Sequence, residues 1–140
     1  MFRQVLVPVD LTEKSFRAVD LAYEMATQSG AEVTLLHVIE TIEHIQFDEI
    51  QQFYQRLEKS AWDGLKEFAE RFVNEDLPVD QAVIYGHRTQ GIIDFAVNKG
   101  MDLIIMASHR IDPDRPGHDW SSISYAVAIQ SPCPVLLLKQ

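Results

Sequence analysis

Five short runs rich in β-branched and aliphatic residues alternate along this chain with segments whose apolar residues recur every three or four positions. No other feature constrains the fold as strongly. Val5-Leu6-Val7-Pro8-Val9 is apolar at successive positions, as a strand covered on both faces must be. Val33 to Ile39, Val79 to Tyr85, Leu103 to Met106 and Val135 to Leu138 share that character. Between them lie helix-period stripes: Phe16, Val19, Ala22, Tyr23 and Ala26; then Ile50, Phe53, Leu57, Ala61, Leu65, Phe68 and Phe72; then Ile92, Ile93, Ala96 and Val97. Strands separated by helices are joined by crossovers, so they pair in parallel. The expected fold is α/β: a single five-stranded parallel sheet with helices on both faces.

Punctuation between the runs supports this reading. Thr12 is placed to cap the first helix and Thr89 the one that carries Ile92. Gly30 suits a left-handed C-cap, and Gly100 closes the helix before Leu103. Gly64 interrupts the longest stripe, at about 1 kcal/mol relative to alanine. Trp62 and the phenylalanine stripe of that helix read as core. Glu40 to Asp48 is the longest connection without a clear period and reads as mobile. The chain has no internal repeat, low-complexity tract or linker.

A chain of 140 residues holds one domain with its own core, here 1–140. With 46% hydrophobic and 24% charged residues it has the balance of a soluble globular protein. No apolar run nears the ~20 residues that span a bilayer, and the sequence enters a strand without the basic lead of a signal peptide. The single cysteine, Cys133, has no partner for an intramolecular disulfide; between two prolines it reads as a buried structural thiol. A cytoplasmic protein without membrane attachment is expected. The net charge of −9 opposes nucleic acid as a partner but leaves a small phosphate ligand open, because a cradle of backbone N–H groups needs no net positive charge.

Several functions use this alternation, so the loops decide. A phosphoacceptor receiver needs an acidic pair after the first strand and an aspartate after the third, but Asp10 is single and the third strand ends in Tyr85-Gly86-His87. A dinucleotide site needs Gly-x-Gly-x-x-Gly after the first strand, where this chain has Asp10-Leu-Thr-Glu-Lys14. Both are excluded. After the fourth strand come Ala107-Ser108-His109-Arg110, a polar loop, and Ser121-Ser122 opening a helix.

In that order the pieces resemble the universal stress protein family. They are Val-Leu-Val-Pro-Val-Asp10 with Ser15 and Ala18, Gly30-Ala-Glu-Val-Thr-Leu-Leu-His37-Val38, the Gly86 turn, Gly100-Met-Asp-Leu-Ile-Ile-Met106, and Pro132-Cys-Pro-Val-Leu. The resemblance covers essentially the whole chain. It implies a Rossmann-like sheet in the order 3-2-1-4-5, a homodimer through the C-terminal strand and a role in the stress response. In nucleotide-binding members, adenine and ribose contact places that fall here on Pro8, Val9, Asp10, Val38 and Met106. The phosphates contact Ala107, Ser108, Arg110, Ser121, Ser122 and Ile123. Those members carry Gly-x2-Gly-x9-Gly-Ser/Thr in the loop; here the glycine places hold Ala107, Arg110 and Ser121, and the loop is one residue longer. The implied ATP or AMP site is therefore a weak one.

Asp10 is either a turn residue or part of the pocket. His109 and His118 with Asp112, Asp114 and Asp119 match no compact metal-ligand spacing and read as a solvated loop. Ser108, His109 and Asp119 lack a nucleophile elbow, and Trp120 suits a lid or a dimer contact. Three functions follow from the resemblance: a small regulatory module with a weak adenine-nucleotide site, a nucleotide-free dimeric interaction protein, and a slow ATPase. The ATPase ranks last, because the chain shows no placed general base, paired carboxylates or Walker-type lysine.

Overall fold

The computed structural model describes residues 1–42, 47–108, 114 and 122–139. The described elements run β1 (Gln4–Pro8), a 3₁₀ turn (Glu13–Ser15), α1 (Phe16–Ser29), β2 (Glu32–Glu40), α2 (Phe47–Asn74), β3 (Val79–Gly86), α3 (Arg88–Asn98), β4 (Leu103–Ser108), α4 (Ile123–Gln130) and β5 (Val135–Lys139). The five strands form one parallel sheet in the order β3-β2-β1-β4-β5. The alternation of apolar runs and helical stripes is thus realised in full.

Alternate side chains of the central strand divide the core between two faces. Val5, Val7 and Val9 pack with Ala18, Val19 and Ala22 of α1 and Leu65, Phe68 and Phe72 of α2. Leu6 points the other way, toward Ile92 and Ala96 of α3 and Val127 of α4. Val5, Leu6 and Val7 are wholly buried, which explains the unbroken apolar run: a strand covered on both sides has no face for a polar residue. Among the described residues no helix is long and apolar enough to cross a membrane.

Gly30 ends α1 with φ +72, and its amide donates to the Ala26 carbonyl, the left-handed C-cap expected of it. The two threonine caps are corrected. Thr12 heads the 3₁₀ turn, and its hydroxyl donates to Asp10 Oδ1 at 2.6 Å instead of accepting from a helix amide. Ser15 then stands at the start of α1. At α3 the N-cap is His87, because the turn at Gly86, φ +147, leaves His87 extended and Arg88 already helical. Trp62 and Phe53 are corrected as well. They are 41% and 38% exposed, since the buried stripe of α2 is Ala61, Leu65, Phe68, Ala69 and Phe72, and Trp62 lies beside it. Cys133 is half-buried rather than buried. The connection read from Glu40 to Asp48 is shorter, because β2 includes Glu40 and α2 begins at Phe47; residues 43–46, with the mobility expected there, lie outside the described residues.

Candidate functional site

The carboxyl ends of β1, β2 and β4 open into a cleft of about 280 Å³, the position where parallel α/β sheets hold ligands. Its lining joins Pro8, Val9 and Asp10 after β1 with Leu36, His37 and Val38 of β2, and Met106, Ala107 and Ser108 of β4. Lys14 and Ser15 from the turn after β1, Arg88 and Ile92 of α3, and Ser122, Ile123 and Ser124 at the start of α4 complete it.

The floor is set by the ladder between β1 and β2. Pro8 pairs with Leu36, and the Val9 amide donates to the Leu36 carbonyl at 2.8 Å. His37 Nδ1 stands 2.8 Å from the Val9 carbonyl. A carbonyl only accepts, so Nδ1 carries the hydrogen of this bond. One histidine thereby holds the Val9 carbonyl just beyond β1 and adds a polar group to a largely apolar floor.

Asp10 serves as both turn residue and lining residue. Its Oδ1 accepts from the Thr12 amide at 2.9 Å, the Thr12 hydroxyl at 2.6 Å and the Ser15 hydroxyl at 3.0 Å. The Asp10 amide in turn donates to Ser15 Oγ at 3.1 Å. Burial raises the carboxyl pKa, but the bonds from Thr12 and Ser15 together outweigh it and hold the group below its usual 3.8. Asp10 is therefore an anion at neutral pH.

The opposite wall is a row of hydroxyls. Ser108 Oγ and Ser124 Oγ lie 3.0 Å apart, both residues buried, and Ser124 Oγ is 3.4 Å from Ser122 Oγ. Ser122 is the N-cap of α4, extended at φ −67 and ψ 154, and accepts from the Tyr125 amide at 3.5 Å. The capped start of α4, Ser122 to Ser124, thus lines the cleft. Two cations reach the rim: Lys14, and Arg88, whose Nε lies 3.7 Å from Glu40 Oε2.

Nine of the residues expected at the site line this cleft: Pro8, Val9, Asp10, Val38, Met106, Ala107, Ser108, Ser122 and Ile123. Arg110 and Ser121 lie outside the described residues, as do His109, Asp112, His118, Asp119 and Trp120. The sequence reading missed Lys14, Ser15, Leu36, His37, Arg88, Ile92 and Ser124. Position alone could have found Lys14 and Arg88, because each lies just beyond a strand's carboxyl end, Lys14 in the turn after β1 and Arg88 at the first residue of the helix after β3. Among the described residues no three histidine, cysteine or acidic side chains are grouped to hold a metal ion.

The sheet order and the cleft at its carboxyl edge define an α/β protein with a single parallel sheet, and whole-chain comparison makes the assignment specific. Residues 1–139 match the universal stress protein family, and the chain belongs to it. It is similar to the universal stress protein YxiE of Bacillus subtilis (strain 168), at 25% identity over 99% of this chain and 100% of that one. Among solved structures it resembles the hypothetical protein MJ0577 with a TM-score of 0.82 and 26% identity, covering 100% of this chain and 97% of the other. A universal stress protein in complex with cAMP has a TM-score of 0.73 at 17% identity, over 98% of this chain and 97% of its own.

Proposed function

We propose that the chain is a cytoplasmic regulatory module that holds an adenine nucleotide, ATP or AMP, in this cleft without dedicated turnover, and that it works as a homodimer through β5. The observation that carries the nucleotide reading is the division of the cleft into two kinds of surface. Pro8, Val38, Ile92 and Met106 offer an apolar slot for a base, while Ser122 to Ser124 offer hydroxyls and helix-start amides to phosphate. Lys14 and Arg88 bring two cations to a cleft that also carries the Asp10 carboxylate, with Glu40 beside Arg88. The cAMP complex of a structural relative supports a nucleotide as the ligand class.

Binding is weak on this reading. At Ala107 a methyl group stands where the family's loop places glycine, which keeps a phosphate from the backbone. Calorimetry with ATP, ADP, AMP and adenosine tests it. Dissociation constants above about 1 μM, equivalent to roughly −8 kcal/mol, are expected, with Ala107→Gly tightening phosphorylated ligands and leaving adenosine unchanged. Sub-micromolar ATP binding refutes the weakened cradle. No binding of any nucleotide near 1 mM, about −4 kcal/mol, moves the assignment to a nucleotide-free interaction protein. Release of phosphate from ATP above the buffer rate reverses the ranking of the ATPase.

The dimer reading rests on the sheet edge. Among the described residues β5 pairs with β4 alone, and Leu136 on it is 38% exposed, with Ile129 of the adjoining α4 at 72%. An unpaired apolar edge strand is a surface that a two-fold partner covers. Sedimentation at tens of micromolar should give a dimer, and a charge at Leu136 should give a monomer.

A further inference from the structure

We infer that Gly64 and Phe68 of α2 are positioning residues for the ligand cleft, holding its Asp10–Ser15 lip from 49 or more residues away in sequence. The functional half of this inference rests on the nucleotide reading above; the structural half does not.

Leu11 follows Asp10 with φ +66, and only one other described residue besides glycine, Asp76, has a positive φ. Leucine is disfavoured in the left-handed region, so the surrounding structure must hold it there. Two things do. The Asp10 carboxylate binds the Thr12 amide and hydroxyl across it, which fixes the backbone on either side. The Leu11 side chain lies against α2 at the one residue without a side chain. A Cβ built on Gly64 would meet Leu11 Cδ2 at 2.7 Å, Cγ at 3.5 Å and Cβ at 3.6 Å. The Cδ2 tip of the leucine occupies the place that a Cβ at 64 would fill, while its Cγ and Cβ stand at ordinary van der Waals contact, so a residue at 64 would have to displace that tip.

A second contact comes one turn along the same face of α2. Phe16, the first residue of α1, meets Phe68 with ring centroids 4.6 Å apart and ring planes tilted by 56°. Residues 64 and 68 are neighbours at i, i+4. Leu11 and Phe16 bracket Thr12 to Ser15, so the segment that brings Lys14 and Ser15 to the cleft is clamped to α2 at both ends. The clamp also accounts for a glycine inside a long helix: the stability lost there accommodates Leu11 and hence the turn.

The test is a double-mutant cycle of Gly64→Ala with Leu11→Gly. Glycine at 11 removes the blocking side chain and favours the positive φ, which offsets part of the packing lost. Two readouts are taken: the amide shifts of Thr12 and Ser15 in the ligand-free protein, and affinity for ATP by calorimetry. Gly64→Ala alone should move the Thr12 amide and weaken ATP roughly three- to tenfold, the scale of a displacement below 1 Å at a binding site. In the Leu11→Gly background the same change should do neither. An equal effect of Gly64→Ala in both backgrounds, or no effect on either readout in the native one, overturns the inference. If the native protein binds no ATP, the nucleotide reading falls, and the amide shifts alone decide whether α2 sets this turn.

Discussion

Replacement of Asp10 by alanine removes one side chain whose three bonds unite the turn after β1. The magnitude follows from where those bonds lie. The Thr12 amide and hydroxyl are exposed, so water replaces the lost acceptor and each bond counts near the low end of about 0.5–1.5 kcal/mol. The Ser15 hydroxyl is different. Ser15 is 3% exposed, and without Oδ1 its hydrogen has lost its acceptor, a loss of about 1 kcal/mol or more. Relief of the strain at Leu11 works in the other direction, as the turn no longer has to hold φ +66. The net expectation is about 1–2 kcal/mol, or about 3–8 °C in melting temperature for a chain of this size. The pH dependence makes the test specific. The folded-state pKa of Asp10 is depressed, so its contribution is full above the unfolded value near 3.8 and is lost as pH falls through the folded value. Melting temperatures of the two proteins, followed by calorimetry from about pH 7 down to about pH 2.5, should converge at the acid end. A gap that stays constant over that range would show that the carboxylate charge is irrelevant to the turn. No gap at neutral pH would remove Asp10 as its organiser.

Three further outcomes are expected. Tyr85 donates its hydroxyl to Glu58 Oε2 at 2.5 Å, and this bond, with a little burial and the nearby carboxylate charge, pushes its pKa up to about 12. The bond is therefore intact below about pH 10 and is lost as pH rises through about 12; a spectroscopic titration should show one late tyrosine that becomes ordinary in Glu58→Gln. Phe72→Ala should cost about 3–5 kcal/mol by chemical denaturation, because the ring is wholly buried and meets Tyr23 edge-on at 5.5 Å. Ser122→Ala should cost only about 0.5 kcal/mol, since its cap bond is long at 3.5 Å, and a loss above about 2 kcal/mol would contradict that reading.

The fold was legible because burial on two faces leaves a signature that polar chemistry cannot imitate. Val5-Leu6-Val7 could only be a central strand, and β1 stands at the centre of the sheet. Caps were less legible because several polar residues compete for one role. Thr12 and Thr89 have the right chemistry, but Thr12 is drawn to the Asp10 carboxylate, and the turn at Gly86 starts α3 two residues earlier. Trp62 misled for a related reason: periodicity gives a stripe, but its edge depends on how α2 sits on the sheet, which a single helix does not encode.

At the cleft, residues on strand ends were found because the strands place them, whereas the role of His37 depends on the relation between elements. His37 enters the site through its bond to Val9, 28 residues away, and nothing local marks that partner. Gly64 carries the same lesson further. Within α2 it is only a weak helix former, and its local cost of about 1 kcal/mol has no local return. Its role becomes visible once Leu11, held at positive φ beside the cleft, is seen to fill the space that its missing side chain leaves. A residue that breaks a local rule is thus explained by a contact with the site-forming turn, which is where such exceptions are expected to concentrate.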